Sequence, residues 1–260
     1  MLTQDQVSHF QAFGFLMLPG IFTCKEMEVL NAEAVSVLDD GRGGRSFDGA
    51  RSQTVMPFFE RRPATRPLLE DDRIYGIAED LLGPGFMLVL TEVHLSVGNT
   101  QWHGDHRTKG ILPNIKMGIY LEPVTRDTGC LRVIPGSHLS PFFESLAPMS
   151  AQYDDPSKMP LSVSGADMPC VALESRPGDM VLFTEEVYHA AFGGRTGRPR
   201  LALNFEAAAS NDERVGVIRP EYEKTKWMYR PARSLVESDR PRLRGMVQPL
   251  LELGFDTLDA

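Results

Sequence analysis

The chain's most chemically pointed pair is His103 and Asp105, two residues apart in Gln101-Trp102-His103-Gly104-Asp105-His106. On an extended backbone such residues project to one face, so an imidazole and a carboxylate can converge on one divalent ion. Two protein ligands do not hold such an ion tightly, and a third must come from elsewhere in the fold. His189, in Glu185-Glu186-Val187-Tyr188-His189-Ala190-Ala191, follows the apolar run 180–183 and is the candidate. Two histidines and one carboxylate on one face of an octahedral metal leave three positions open. Non-haem Fe(II) oxygenases use that arrangement to admit O2 and a co-substrate. A closed four-ligand set would indicate structural zinc instead. Taken alone, His-x-Asp is a weak signal, and His106 and His138 read as turn histidines with local hydrogen bonds.

The elements that must position these side chains fall into two groups. Thr3-x-x-Gln6 and Thr23-x-x-Glu26 fit the capping-box pattern, so two helices are expected near the N-terminus. Met27, Leu30, Ala34 and Leu38 then recur at helical spacing, and the short apolar run 14–20 between the two helices, bounded by Gly14 and Gly20, suits a strand. A third helix is expected over 71–82, stopped by Gly83-Pro84. From residue 86 short apolar runs at 86–90, 91–97, 115–121, 131–134, 170–173, 180–183 and 201–205 are separated by Gly, Pro, Asp or Ser. Many short strands with turn punctuation indicate a β-sandwich or barrel. Leu243, Met246, Val247, Leu250 and Leu251 predict a terminal amphipathic helix, packed internally or across a two-fold. The chain therefore reads as one domain over 1–260, a β core of about 86–206 buttressed by helices from both ends. Two long irregular stretches interrupt it. Residues 40–67 carry Arg45, Arg51, Phe47 and Phe58 and read as a lid for an anionic substrate or as a solvated loop. Residues 141–169 read as a polar, proline-containing insertion.

Longer motifs surround the ligand candidates. Asp127-Thr128-Gly129-Cys130-Leu131-Arg132-Val133-Ile134-Pro135-Gly136-Ser137-His138 resembles the NGCLxVIPGSH signature of the phytanoyl-CoA dioxygenase-like family of Fe(II)/2-oxoglutarate oxygenases. Pro177-Gly178-Asp179-Met180-Val181-Leu182-Phe183 looks like that family's GDxxxF strand, which leads to the distal histidine ligand. Arg200, eleven positions after His189, stands where the family places the arginine that clamps the far carboxylate of 2-oxoglutarate. Its planar fork and permanent charge suit that task. Arg198 is the fallback, and Arg195 reads as solvated. The resemblance spans about residues 2–207.

What the resemblance implies is a double-stranded β-helix, a jelly-roll of the cupin kind, mainly β with flanking helices. It implies Fe(II) on His103, Asp105 and His189, with 2-oxoglutarate and O2 as co-substrates and release of succinate and CO2. Related halogenases carry Gly or Ala at the carboxylate position, so Asp105 favours hydroxylation of an unactivated C–H bond. Desaturation, epimerisation or cyclisation begin from the same hydrogen abstraction. The sequence departs from the family twice. Ala191 stands where members often place a Ser or Thr that binds 2-oxoglutarate, so polar residues of 91–95, above all His94 and Thr91, are expected to supply that contact. Gly104 replaces a more usual polar residue and is expected to leave space beside the metal.

Composition narrows the partners. With 42% hydrophobic and 24% charged residues the chain can bury a sizeable core. A net charge of -8 gives no electrostatic case for nucleic acid, and no run of residues is long and apolar enough to span a membrane. No secretory signal is visible, and Cys24, Cys130 and Cys170 show no metal-like spacing. They are read as small buried hydrophobes in a reducing cytoplasm. The expected partner is a small molecule, with monomer and homodimer both open. Two rival readings differ in one residue type each. A cupin dioxygenase whose substrate itself chelates the metal needs no Arg200, and a silent β-helix binding protein needs no intact ligand triad.

Overall fold

The computed structural model describes residues 1–105, 113–159, 161–194, 200–208 and 230–259, together with 220 and 223. Both capping boxes form. Thr3 opens helix α1 (Gln4–Phe13) with Gln6, and Thr23 opens α2 (Cys24–Gly41) with Glu26. In each, the hydroxyl accepts the N3 amide while the N3 side chain accepts from the cap's own N–H, satisfying two otherwise orphaned donors. Strand β1 (Phe15–Leu18) lies between these helices, and α3 spans Tyr75–Leu82.

Two antiparallel sheets follow. The larger orders β1 beside β8 (Met180–Phe183), then β5 (Asn114–Tyr120), β10 (Arg200–Ala208), β3 (Met87–Ser96) and β2 (Gln53–Val55). The smaller orders β4 (Thr100–His103), β9 (His189–Ala191), β6 (Leu131–Val133) and β7 (Val171–Leu173). This is the expected double-stranded β-helix with helices on its outer face.

The period-two alternation of the large sheet decides what faces where. Ile115, Met117 and Ile119 on β5, Leu203 and Phe205 on β10, and Val93 and Leu95 on β3 are buried in the core shared with α2 and α3. The intervening positions, Lys116, Gly118 and Tyr120, Ala202 and Asn204, Glu92, His94 and Ser96, line a cavity that the small sheet closes. The separate runs expected at 86–90 and 91–97 form the single strand β3. Its first half reads as uniformly apolar because Leu88 joins that core while Met87, Val89 and Leu90 form a second apolar cluster with Ala208, Leu250 and Phe255.

Four expectations need correction. Residues 40–67 are not a free lid: Phe58 and Phe59 are wholly buried in the core, and β2 pairs with β3. Residues 141–169 are not a bare insertion, since α4 (Phe142–Ser145) and α5 (Ser150–Asp154) belong to them. Phe143, Leu146 and Met149 pack on Trp102, Ile134, Tyr188, Ala190 and Phe192, covering the back of the small sheet. The terminal amphipathic helix is two short ones, Pro241–Gly245 and Gln248–Glu252. Pro249 opens the second because it has no N–H to continue the first. Leu243, Met246, Val247, Leu250 and Phe255 are nevertheless buried within the chain. Finally, Cys24 is exposed, whereas Cys130 is buried and Cys170 half-buried.

Thr91 organises a second cavity, about 360 Å3, on the helix-facing side of β3. Its hydroxyl accepts the amides of Phe58 and Phe59 at 2.9 and 3.1 Å and donates to the buried carboxyl of Glu60. Burial outweighs that hydrogen bond and raises Glu60 from 4.5 to about 7. The folded state therefore holds this proton more tightly than the unfolded chain, and the resulting stability declines as pH rises from about 4.5 through 7. Glu60→Gln removes the charge but keeps an acceptor for Thr91. The variant should match the parent's melting temperature near pH 5 and exceed it at pH 8, by about 1–3 kcal/mol in unfolding free energy. Equal pH profiles for the two proteins would contradict this assignment.

Candidate active site

The ligand candidates meet. One ligating atom from each of His103, Asp105 and His189 can be chosen so that all lie within 4.8 Å of one another. Asp105 Oδ1 is 3.7 Å from His103 Nε2, and Asp105 Oδ2 is 4.0 Å from His189 Nε2. These separations are too long for hydrogen bonds. Ligand atoms each about 2 Å from one ion lie roughly 3–4 Å apart.

Local backbone geometry aims the two imidazoles. His103 Nδ1–H donates to the carbonyl of Gln101 at 2.7 Å, and His189 Nδ1–H to that of Val187 at 2.8 Å. With Nδ1 committed, Nε2 carries the lone pair on both rings, and both Nε2 atoms face Asp105. The antiparallel register pairs His103 on β4 directly with His189 on β9, and the ring centroids are 4.2 Å apart. Burial, followed by the neighbouring His103 ring, holds His189 well below the usual imidazole range, so its ring is neutral at neutral pH and Nε2 is free to act as a donor to a metal. The donor set of two neutral imidazoles and one carboxylate fits a divalent iron.

Contacts between distant segments fix these strands. The Asp105 amide donates to the carbonyl of Glu185 at 2.8 Å. Glu185 is itself pinned, its amide donating to buried Asn114 Oδ1 at 3.0 Å. A Cβ on Gly104 would lie 3.1 Å from the carbonyl oxygen of Glu186. Gly104 thus does not leave space beside the metal; it lets the 185–186 backbone approach. Ser137 Oγ accepts the amide of Tyr188 at 2.8 Å, so the Pro-Gly-Ser-His segment holds the residue before the distal histidine. His138 Nε2 bonds the carbonyl of Gln11 and ties that segment to α1. In the Pro-Gly-Asp turn, Asp179 accepts the amides of Gly20 and Arg176 and docks the N-terminal segment on β8.

The triad opens on the cavity between the sheets, about 370 Å3. His94 lines it, its Nδ1 2.6 Å from Thr54 Oγ1. Thr91 does not join it. Three positions from His94 on an extended strand, Thr91 falls on the opposite face and belongs to the Glu60 cavity. Arg200 begins β10 opposite Ser96, and position 200 shares a strand face with Ala202 and Asn204, which line the cavity. The side chain of Arg200 lies outside the described residues, as do Arg195, Arg198 and His106. Ala191 lines the cavity without a polar group, and Ser96, Thr100 and Tyr120 line it as well. Glu92, Lys116 and Asn204 are cavity residues that motif matching did not single out. Their signal was available as isolated polar positions on the inward face of otherwise apolar strands.

No helix among the described residues is long and apolar enough to cross a membrane. The ectoine dioxygenase of Sphingopyxis alaskensis is 26% identical over 247 residues, covering 84% of this chain and 81% of that one. The structure of EctD from S. alaskensis with 2-oxoglutarate and 5-hydroxyectoine superposes with a TM-score of 0.61 at 22% identity, covering 80% of this chain and 76% of that one. The non-heme alpha ketoglutarate dependent carbocyclase SnoK from nogalamycin biosynthesis gives 0.61 at 22% identity, covering 81% and 85%. At that identity the two structures establish the fold. The sequence matches the phytanoyl-CoA dioxygenase family over residues 10–202, a span that runs from α1 into β10 and includes all three ligand candidates. The chain belongs to the phytanoyl-CoA dioxygenase (PhyH) family of iron- and 2-oxoglutarate-dependent dioxygenases.

Proposed function

We propose that the chain hydroxylates an unactivated C–H bond of a small-molecule metabolite, with His103, Asp105 and His189 holding Fe(II) and Arg200 anchoring 2-oxoglutarate. The observation that carries this reading is the convergence of two Nε2 atoms and one carboxylate, both Nδ1 atoms being committed to backbone carbonyls. When bound, the iron supplies O2 activation coupled to the conversion of 2-oxoglutarate to succinate and CO2.

The chain's own residues set the conditions. The two Nδ1–H bonds keep the imidazoles from rotating or taking the other tautomer. Asp105 offsets one of the ion's charges and fills the position that a halide would need, which supports hydroxylation. Phe183, its ring centroid 5.0 Å from that of His189, covers one side of the ligand and limits water there. Arg200 would bind the far carboxylate of 2-oxoglutarate through a two-pronged, charge-assisted contact. Ser96 and Tyr120 stand opposite Arg200 and Ala202 in the sheet register. With Thr100, which pairs with Ala191, they are suited to provide the hydrogen bond that Ala191 lacks. His94 completes the same wall. A dicarboxylate clamp has no use in a dioxygenase whose substrate alone chelates the metal, and an intact triad has none in a silent binding protein.

Adding Fe(II) and 2-oxoglutarate without oxygen should produce the weak visible metal-to-ligand charge-transfer band of the chelate. His103→Ala and Asp105→Ala should lose that band and succinate formation while keeping the parent's circular dichroism. Full turnover by either variant would overturn the reading. Arg200→Ala should raise the KM for 2-oxoglutarate by about 10- to 100-fold, the worth of one charged hydrogen-bonded contact. An unchanged KM would remove Arg200 from the site.

A further inference from the structure

Glu92 puts a carboxylate into the cavity, a group of the same charge sign as the 2-oxoglutarate dianion. Its side chain is 13% exposed. One oxygen, Oε1, takes both of its neighbours: Asn204 Nδ2 donates to it at 2.6 Å, and Lys116 Nζ lies 3.7 Å away. The other oxygen, Oε2, has no partner among the described residues. A carboxylate oxygen facing a cavity in this way calls for a donor from water or a ligand.

The group is held rather than loose. Asn204 sits on β10 between Glu92 on β3 and Gly118 on β5, in direct register with both. A Cβ at position 118 would lie 3.3 Å from Asn204 Oδ1, so the glycine gives the amide room to reach across to Glu92. Lys116 pairs in register with Phe183, whose ring packs on His189. The cluster therefore stands at the metal end of the cavity. Position 200 is four residues further along β10, about 13 Å at the rise of a strand. 2-Oxoglutarate is a dianion, and a fixed carboxylate repels it.

We propose that Glu92, oriented by Asn204, is the specificity-determining contact for the primary substrate. That substrate would be a small molecule bearing a protonated nitrogen group (ammonium, amidinium or guanidinium) whose N–H donates to Oε2. This rests on the proposed iron- and 2-oxoglutarate-dependent activity and names its substrate class. The contact places the reacting carbon near the metal through a charge-assisted hydrogen bond. Asn204 acts through Glu92 and is a positioning residue.

The test uses the full chain loaded anaerobically with Fe(II) and 2-oxoglutarate. The probes are small amines, amidines and guanidines, each matched with its N-acetyl or oxygen isostere, together with simple carboxylic acids. Two readouts are taken: perturbation of the charge-transfer band on adding the probe, and succinate released on admitting O2. Cationic members should perturb the band and stimulate succinate formation, and their uncharged isosteres should not. Glu92→Gln, which keeps an acceptor for Asn204, should still show the 2-oxoglutarate band. It should raise the KM for a stimulating cation by about 10- to 100-fold, with a smaller change in kcat. Asn204→Ala should move the same KM in the same direction by less. Stimulation by neutral or acidic probes only, by none of the cations, or equally in parent and Glu92→Gln would overturn the proposal. Absence of the band in the parent before any probe is added would instead remove the underlying activity, and this assignment with it.

Discussion

Two short hydrogen bonds from imidazole to backbone carry the site. A histidine ring has two nitrogens, and only a fixed tautomer presents a lone pair in a defined direction. Here each ring gives Nδ1–H to the carbonyl two residues before it, His103 to Gln101 and His189 to Val187. The same local device on two facing strands turns both Nε2 atoms to one point. An antiparallel pairing that sets His103 opposite His189 then brings those points together. Shifting the register by one residue would send one ring to the back of the sheet, into the packing of Trp102 and Ala190.

Much of the remaining structure keeps that register. Ser137 and the carbonyl of Tyr188 join the segment after β6 to the start of β9. Asn114 and Glu185 join the start of β5 to Asp105. The helical segment 142–154 seals the outer face of the sheet that carries both histidines, so those strands are buried on one side and open to the cavity on the other. The large sheet supplies the opposite wall. Its alternation explains how one set of strands serves two environments, an apolar face to the helices and a polar face to the cavity. A charged residue at an inward position is costly, and Glu92 and Lys116 lie close enough to offset one another in part.

Local features were legible in the sequence and long-range ones were not. The capping boxes at Thr3 and Thr23, the apolar runs of β1, β5, β6 and β8, and the spacing of His103 and Asp105 depend on neighbours within a few residues. All appear where they were expected. Thr91 failed for a reason that was readable: three residues from His94, it must face the other way on a strand. Residues 40–67 read as a lid because glycine and arginine dominate them, whereas burial of Phe58 and Phe59 depends on Thr91, more than thirty residues later. Gly104 read as empty space because the backbone that fills it, at Glu186, is more than eighty residues away. The break at Pro249 was visible and was outweighed by the apolar periodicity around it. Asn114 and Ser137 carry no local mark, since each bonds a segment at least fifty residues distant.

His103, Asp105 and His189 are expected to bind one ion together. Crystals grown anaerobically with Mn(II) in place of iron, plus 2-oxoglutarate, test it through anomalous scattering. A single strong peak about 2.0–2.3 Å from Nε2 of both histidines and from an Asp105 oxygen is the predicted result. A peak bound through Nδ1, a peak lacking any of the three side chains, or no peak between them would contradict it.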